Sequence, residues 1–313
     1  MKLVAWISLV VAMLVATFPS VAQESTAPAA VVIADTDGDG ITDDVDACPT
    51  DVGKANATPQ KNGCTARGLA RSWVLAFLTK NAPPGRKTYF KFAVETKAEG
   101  LARYGEIADT LIDTAYDPKV KPLFGGPTGR ARTIAVMLGV MLWETGFRRD
   151  VDFGLGPDGR GDKGRSWCLM QLHIGTGRTQ DWNTRANRAA LPTDPPDEVQ
   201  QGYSGPELVS NRKACLSEGL RAIRGSFNSC KKLPLEYRLS AYASGSCDKG
   251  QQRSKERVTT GIMWYANSRA LRHFNDAEVL AELQPTSAPK DGEPPPEEPR
   301  NESTVVARNL PNQ

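Results

Sequence analysis

Histidine is scarce in this 313-residue chain: His173 and His273 are the two present. There is no His-Glu-x-x-His step and no Gly-x-Ser-x-Gly elbow, which excludes the common zinc-peptidase and serine-hydrolase constellations. The six cysteines include no tight Cys-x-x-Cys pair, so the usual structural zinc spacings are missing as well. Alternating apolar runs are few; Tyr89-Phe90-Lys91-Phe92-Ala93-Val94 is the best strand candidate, and a β-rich fold is not expected. Nor does charge of one sign dominate. The net charge of +3 suits a polyanionic partner no better than it suits ordinary surface lysines, and no nucleic-acid partner is expected.

What is present begins at the N-terminus. Met1-Lys2 is positive, Leu3 to Phe18 is apolar, and Ser20-Val21-Ala22 offers small residues before Gln23. This is the three-part pattern of a secretory signal peptide over residues 1–22. A retained anchor is the competing reading; Pro19, the small-residue site and the absence of a following basic flank favour cleavage. The expectation is a periplasmic or secreted protein with no stable membrane anchor, and with no cysteine near the cleavage site to carry lipid. In an oxidising compartment Cys48, Cys64, Cys168, Cys215, Cys230 and Cys247 are disulfide candidates. Cys48 and Cys64 are expected to pair locally; the other four leave three connectivities open.

A Ser/Thr/Ala/Pro linker over 23–34 leads to Asp35-Thr36-Asp37-Gly38-Asp39-Gly40-Ile41-Thr42-Asp43-Asp44-Val45-Asp46. Aspartates at positions one, three, five, nine and twelve, with glycine at six, have the ligand spacing of a calcium loop. A hard cation needs several oxygens at short range, and alternate residues of a tight loop point inward. Asp35, Asp37, Asp39, Asp43 and Asp46, with the carbonyl of Ile41, are the candidate ligands; a solvated acidic loop is the alternative. Asp46 stands where an EF-hand has glutamate. With Ala47-Cys48-Pro49 and Asn62-Gly63-Cys64, residues 35–64 resemble a thrombospondin type 3 repeat. That resemblance implies bound Ca2+ and a closing disulfide, serving as a stiff spacer.

From Thr65 the chain reads as helical. Leu69, Trp73, Phe77 and Leu78 recur at helical spacing, as do Leu101, Tyr104, Ile107, Ala108, Leu111 and Ile112. Pro118 to Pro127 marks a connection, Gly154 to Gly164 a glycine-rich charged loop. Further helices are expected over Leu208–Phe227, Leu235–Tyr242 and Ile262–Phe274. The fold class is therefore mainly α, with the principal domain over 65–280 and a Pro/Glu-rich disordered tail over 281–313.

The run Thr133 to Phe147 carries the chemistry. It is apolar on nearly all faces and ends in Glu144. An exposed glutamate is ionised near neutrality and cannot donate a proton. Burial at the C-terminal end of an apolar helix raises its pKa, and the helix dipole acts in the same direction. The bland alternative turns Glu144 to solvent or pairs it with Arg148 or Arg149. The run is too short to span a bilayer.

Glu144-Thr145-Gly146-Phe147 is followed by Cys168-Leu169-Met170-Gln171, Ile174-Gly175-Thr176-Gly177 and Ala241-Tyr242-Ala243-Ser244-Gly245. In order and type these steps resemble the lysozyme-like lytic transglycosylase family, over roughly Arg132 to Gly250. The departures are Thr145 for serine, Cys168 for glycine and Ala243 for asparagine. The resemblance implies a lysozyme-like helical domain that cleaves the β-1,4 MurNAc-GlcNAc bond of peptidoglycan glycan strands. Glu144 would be the general acid/base, and Thr145, Ser166, Met170, Gln171 and Tyr242 would bind sugar or hold the acid. A goose-type lysozyme is the near alternative. Hydrolysis calls for a second carboxylate, for which Asp152, Asp158 and Asp162 are candidates, although each also suits a solvated loop. A non-catalytic wall-binding protein is the reading from another class.

Overall fold

The computed structural model describes residues 33–174, 203–268, 271 and 274–283. The expected signal peptide, His273, Gly175-Thr176-Gly177 and almost all of the tail lie outside them.

The described chain is mainly helical, as its periodicity implied. Its principal helices are α1 (Ala66–Asn81), α2 (Lys97–Ala115), α3 (Gly129–Thr145), α4 (Gly205–Ser210), α5 (Arg212–Ser229), α6 (Ser240–Ser244), α7 (Gln251–Asn267) and α8 (Asp276–Leu283). The helix expected over Leu208–Phe227 is divided between α4 and α5. At the break, the side chain of Asn211 accepts a hydrogen bond from the Ala214 N–H at 3.0 Å and starts a new helix. Leu235–Tyr242 becomes a 3-10 turn, Leu235–Tyr237, and then α6. The last expected helix begins earlier than anticipated, at Gln251, and α7 stops at Asn267.

Tyr89–Val94 is not a strand. Lys91–Ala93 forms a 3-10 turn instead. Tyr89, Phe90, Phe92 and Val94 are all exposed, so the alternation has no sheet face to bury. The strands are short: β1 (Ser166–Trp167) pairs antiparallel with β2 (Leu172–His173).

Helix starts are fixed by side chains, some from distant sequence. Thr65 caps α1 at the Gly68 N–H (2.9 Å), and Glu282 of α8 accepts the Ala66 and Arg67 N–H groups at 2.7 and 2.8 Å. Thr96 and Glu99 form a reciprocal capping box at α2. No side chain caps α3 locally. Buried Asp276 of α8 does so instead, accepting from the N–H groups of Arg130 at 2.7 Å and Ala131 at 3.2 Å. α3 ends at Gly146, whose φ of 56° is the left-handed turn that favours glycine.

α3 is the central element. Ile134, Ala135, Val136, Met137, Leu138, Val140 and Met141 are fully buried, as an all-apolar helix requires. It lies closest to α7, through two glycines. A Cβ on Gly139 would stand 2.1 Å from the Arg257 carbonyl oxygen, and one on Gly261 would stand 1.9 Å from that of Ala135. This close approach sets the register of α7 against the middle of α3.

Three disulfides form: Cys48–Cys64, Cys168–Cys215 and Cys230–Cys247. The local Cys48–Cys64 pairing is as expected, and one of the three open connectivities is chosen for the rest. The acidic segment is not a detached spacer. Cys48 is buried in the main apolar core, Asp51 pairs with Arg71 of α1 at 3.1 Å, and Lys61 pairs with Glu278 of α8 at 3.1 Å.

Candidate active site

Glu144 occupies the last turn of α3, with its side chain 19 % exposed. Its partner is neither Arg148 nor Arg149. Arg148 pairs with buried Asp150 at 2.6 Å, and Arg149 donates to the Phe92 carbonyl at 3.2 Å. Arg257 of α7 pairs with Glu144 instead: its Nε and Nη2 both lie 2.9 Å from Oε1. Burial pushes the Glu144 carboxyl above the ordinary carboxylate range, the charges of Arg257 and Arg253 oppose that rise, and Asp162 adds to it.

The Leu-Met-Gln step forms the tight connection between β1 and β2. Cys168 and Gln171 take φ values of 59° and 45° there, and Cys168 is tied to α5 by its disulfide. The Gln171 side chain donates to the Cys168 carbonyl at 3.2 Å. Tyr242 of α6 donates its hydroxyl to the Met170 carbonyl, and its own backbone N–H is held by Ser226 Oγ at 3.0 Å. Burial, and then the charge of Glu144, raise the Tyr242 hydroxyl well above its usual range, while Arg257 works the other way. Tyr242 is thus a neutral donor within electrostatic reach of the acid.

Two expected sugar contacts are core residues. Met170 is fully buried, in the place where a side chain on Gly219 of α5 would stand. Thr145 is buried, with its hydroxyl donating to the Met141 carbonyl at 2.8 Å and accepting from the Phe147 N–H at 3.2 Å. Their polar and apolar groups are satisfied within the protein and are not presented to a ligand. Buried Ser166 donates to Asp162 at 2.5 Å.

The three loop aspartates separate by environment. Asp152 is buried and pairs with Arg212 at 2.9 Å and Arg103 at 3.5 Å; it is shared between two arginines that also pair with Glu106 and Glu95, so it is committed to a buried ion-pair network. Asp158 is exposed, and its carbonyl accepts from Arg148 at 2.8 Å. Asp162 is exposed on the turn Gly161–Gly164, and its charge is felt at Glu144. The search against protein-family models, curated proteins and solved structures found no match.

Arg257, the one ion-pair partner of Glu144 among the described residues, is not visible in the sequence. It lies 113 residues away, in a helix with no motif around it. Arg253 shares its face by the i, i+4 spacing of a helix, which is the only local signal.

A second cluster lies in the N-terminal loop. Carboxylate oxygens of Asp35, Asp37 and Asp39 fall within 4.8 Å of one another. Asp35 accepts the N–H groups of Gly38 and Gly40 at 2.9 and 3.0 Å, possible because both glycines have positive φ. Asp39 accepts from Ile41 N at 2.8 Å and Gly53 N at 2.9 Å; Asp43 is held by Thr36. Asp46 is buried and accepts from Cys48 N at 2.6 Å. Burial raises its carboxyl, the hydrogen bond from the Cys48 N–H opposes that rise, and Asp39, Asp37 and Asp43 add to it. One oxygen each of Asp37 and Asp46 is buried without a hydrogen-bond partner. An orphaned oxygen of Asp37 beside the carboxylates of Asp35 and Asp39 fits a hard divalent cation; Asp43 and Asp46 lie outside this close group.

Proposed function

We propose that this chain is an exported enzyme of lysozyme-like fold that cleaves peptidoglycan at the β-1,4 MurNAc-GlcNAc bond as a lytic transglycosylase. The observation that carries this reading is convergence. Residues from three sequence steps spread over about a hundred residues are linked: Tyr242 is bonded to the Met170 carbonyl, and the charge of Glu144 reaches its hydroxyl.

In the proposed reaction Glu144 is the general acid/base. Burial favours its protonated form, which donates to the departing glycosidic oxygen. The resulting carboxylate then accepts the proton of a substrate hydroxyl as that oxygen closes on the anomeric carbon. No water is consumed, so one carboxyl group suffices. Tyr242, held by the Met170 carbonyl, fixes the wall of the site next to the acid, and Gln171 brings an amide to the same connection. Ca2+ is proposed at Asp35, Asp37, Asp39, Asp43 and Asp46, as a structural ion that holds the N-terminal loop against α1.

A hydrolase is the second reading, favoured by one observation: the charge of the loop aspartate Asp162 reaches Glu144. It would serve as the second carboxylate.

Digestion of purified sacculi by the mature protein, beside Glu144→Gln, tests both readings. Products one water lighter than hydrolysis products, absent with the variant, are the expected result. Hydrated reducing ends that disappear with Asp162→Asn would establish the hydrolase. Release of no product, with calcium present and disulfides formed, would overturn both.

A further inference from the structure

We propose that Arg257 is a positioning residue of this site: it clamps one oxygen of Glu144 and reserves the other for the leaving oxygen of the glycan. This rests on the glycan-cleaving reading above. The clamp is asymmetric. Two guanidinium nitrogens address Oε1 at 2.9 Å, and among the described residues Oε2 accepts no hydrogen bond. A carboxylate held merely for stability would be expected to meet a guanidinium fork with both oxygens, one bond to each. Arg103 and Glu95 do this elsewhere in the protein, Nε to Oε2 at 2.9 Å and Nη2 to Oε1 at 2.6 Å.

The arginine is itself held on three sides. It is 7 % exposed, its Nη1 donates to the Arg253 carbonyl at 2.8 Å, and its own carbonyl lies against Gly139, where a Cβ would come within 2.1 Å. The contact that packs α7 onto α3 therefore also aims the guanidinium at Glu144, about 1.4 turns further along α3. Little side-chain freedom is left to lose when substrate arrives. The groups facing Glu144 are Arg257 and Arg253 from α7, Asp162 from the turn Gly161–Gly164, and Tyr242 from α6. Arg257 alone among them is bonded to the carboxylate.

The geometry has a measurable consequence. Arg257 opposes the effect of burial on Glu144, so removing its charge moves the titration of Glu144 to higher pH, and the pH limit for proton donation moves with it. A lysine at this position keeps the charge but cannot present two donors to one oxygen from a rigid plane.

The test compares the wild type, Arg257→Met and Arg257→Lys by two readouts. One is the titration of the Glu144 side-chain carboxyl, followed by carbon-13 NMR and assigned with Glu144→Gln; it needs no substrate. The other is the pH profile of sacculus digestion. In Arg257→Met the Glu144 midpoint is expected to rise by about one unit or more, with the alkaline limb of digestion displaced the same way. In Arg257→Lys the midpoint is expected to stay near that of the wild type while turnover falls by about tenfold to a hundredfold. If Arg257→Met does not fold, the lysine variant decides: wild-type turnover from it overturns the clamp. An unmoved midpoint in folded Arg257→Met also overturns it. Failure of the wild type to digest any glycan is a different result. It removes the functional reading, and this role with it, whatever the titration shows.

Discussion

Two groups of carboxylates in this protein sit only partly in water, and they are held in opposite ways. The aspartates of the 35–46 loop are crowded together and satisfied mostly by backbone N–H groups from glycines and neighbouring residues, with oxygens of Asp37 and Asp46 left over. Glu144 stands at the end of an apolar helix and is held by one arginine side chain from a helix far along the chain. The loop gathers negative charge, with carboxylate oxygens of Asp35, Asp37 and Asp39 within 4.8 Å of one another. At Glu144 a single acid is held between burial, which favours its neutral form, and a guanidinium, which favours its charge. Clustering suits binding; a single acid poised between two opposing influences suits proton transfer.

That contrast can be broken from either side. The largest expected effect is on Glu144→Gln, which should reduce sacculus digestion by at least about a thousandfold, since general acid catalysis and the subsequent base step are both lost. Its response to calcium, read as the change in melting temperature on chelation, should stay as in the wild type. A change in that response would mean the two groups are coupled.

Next is the contact that brings α7 to α3. Gly261→Val places side-chain atoms where the Ala135 carbonyl already lies. It should cost about 3 kcal/mol or more in chemical denaturation. Partial retention of stability with loss of digestion would show that helix register matters more to the site than to the fold.

Calcium removal should come third. If the loop binds the ion as proposed, excess calcium at about a hundred times its dissociation constant stabilises the protein by roughly 2.7 kcal/mol. Asp46→Asn should abolish most of that gain, because it removes a carboxylate oxygen buried without a partner. Equal melting temperatures with calcium and with chelator would refute the ion.

The smallest effect is a slope. Glu144 has its folded pKa raised, so the folded state holds its proton to higher pH than the unfolded chain does. Stability therefore falls as pH rises from the ordinary carboxylate range through the raised titration, and the penalty is complete above it. Glu144→Gln should flatten the dependence of melting temperature on pH within that window. An unchanged slope would mean Arg257 fully offsets burial.

Much of the frame could be read without coordinates, for reasons that differ from residue to residue. Leu69, Trp73, Phe77 and Leu78 are buried on α1 because helical spacing puts them on one face. Cys48 and Cys64 pair because a short loop keeps them together. Tyr89–Val94 misled because alternation needs a partner strand, and none lies there among the described residues. Met170 and Thr145 misled because a motif fixes the order of residues and not which way each side chain faces; both turn into the core. Asp152 looked like a loop carboxylate but is committed to Arg103 and Arg212, which the sequence gives no reason to bring near it.

Helical class, the acidic loop and the apolar run ending in Glu144 follow from local spacing and composition, because those effects act over a few residues. The cap of α3 by Asp276, the choice of disulfide partners for Cys168 and Cys230, and the pairing of Glu144 with Arg257 join residues from 17 to 146 positions apart. The disulfides arise when α5 meets the β1–β2 connection and the segment after α6, and the cap and the ion pair when α3, α7 and α8 pack. In that packing, whether a glycine lets two backbones approach within contact decides which charge a buried acid meets.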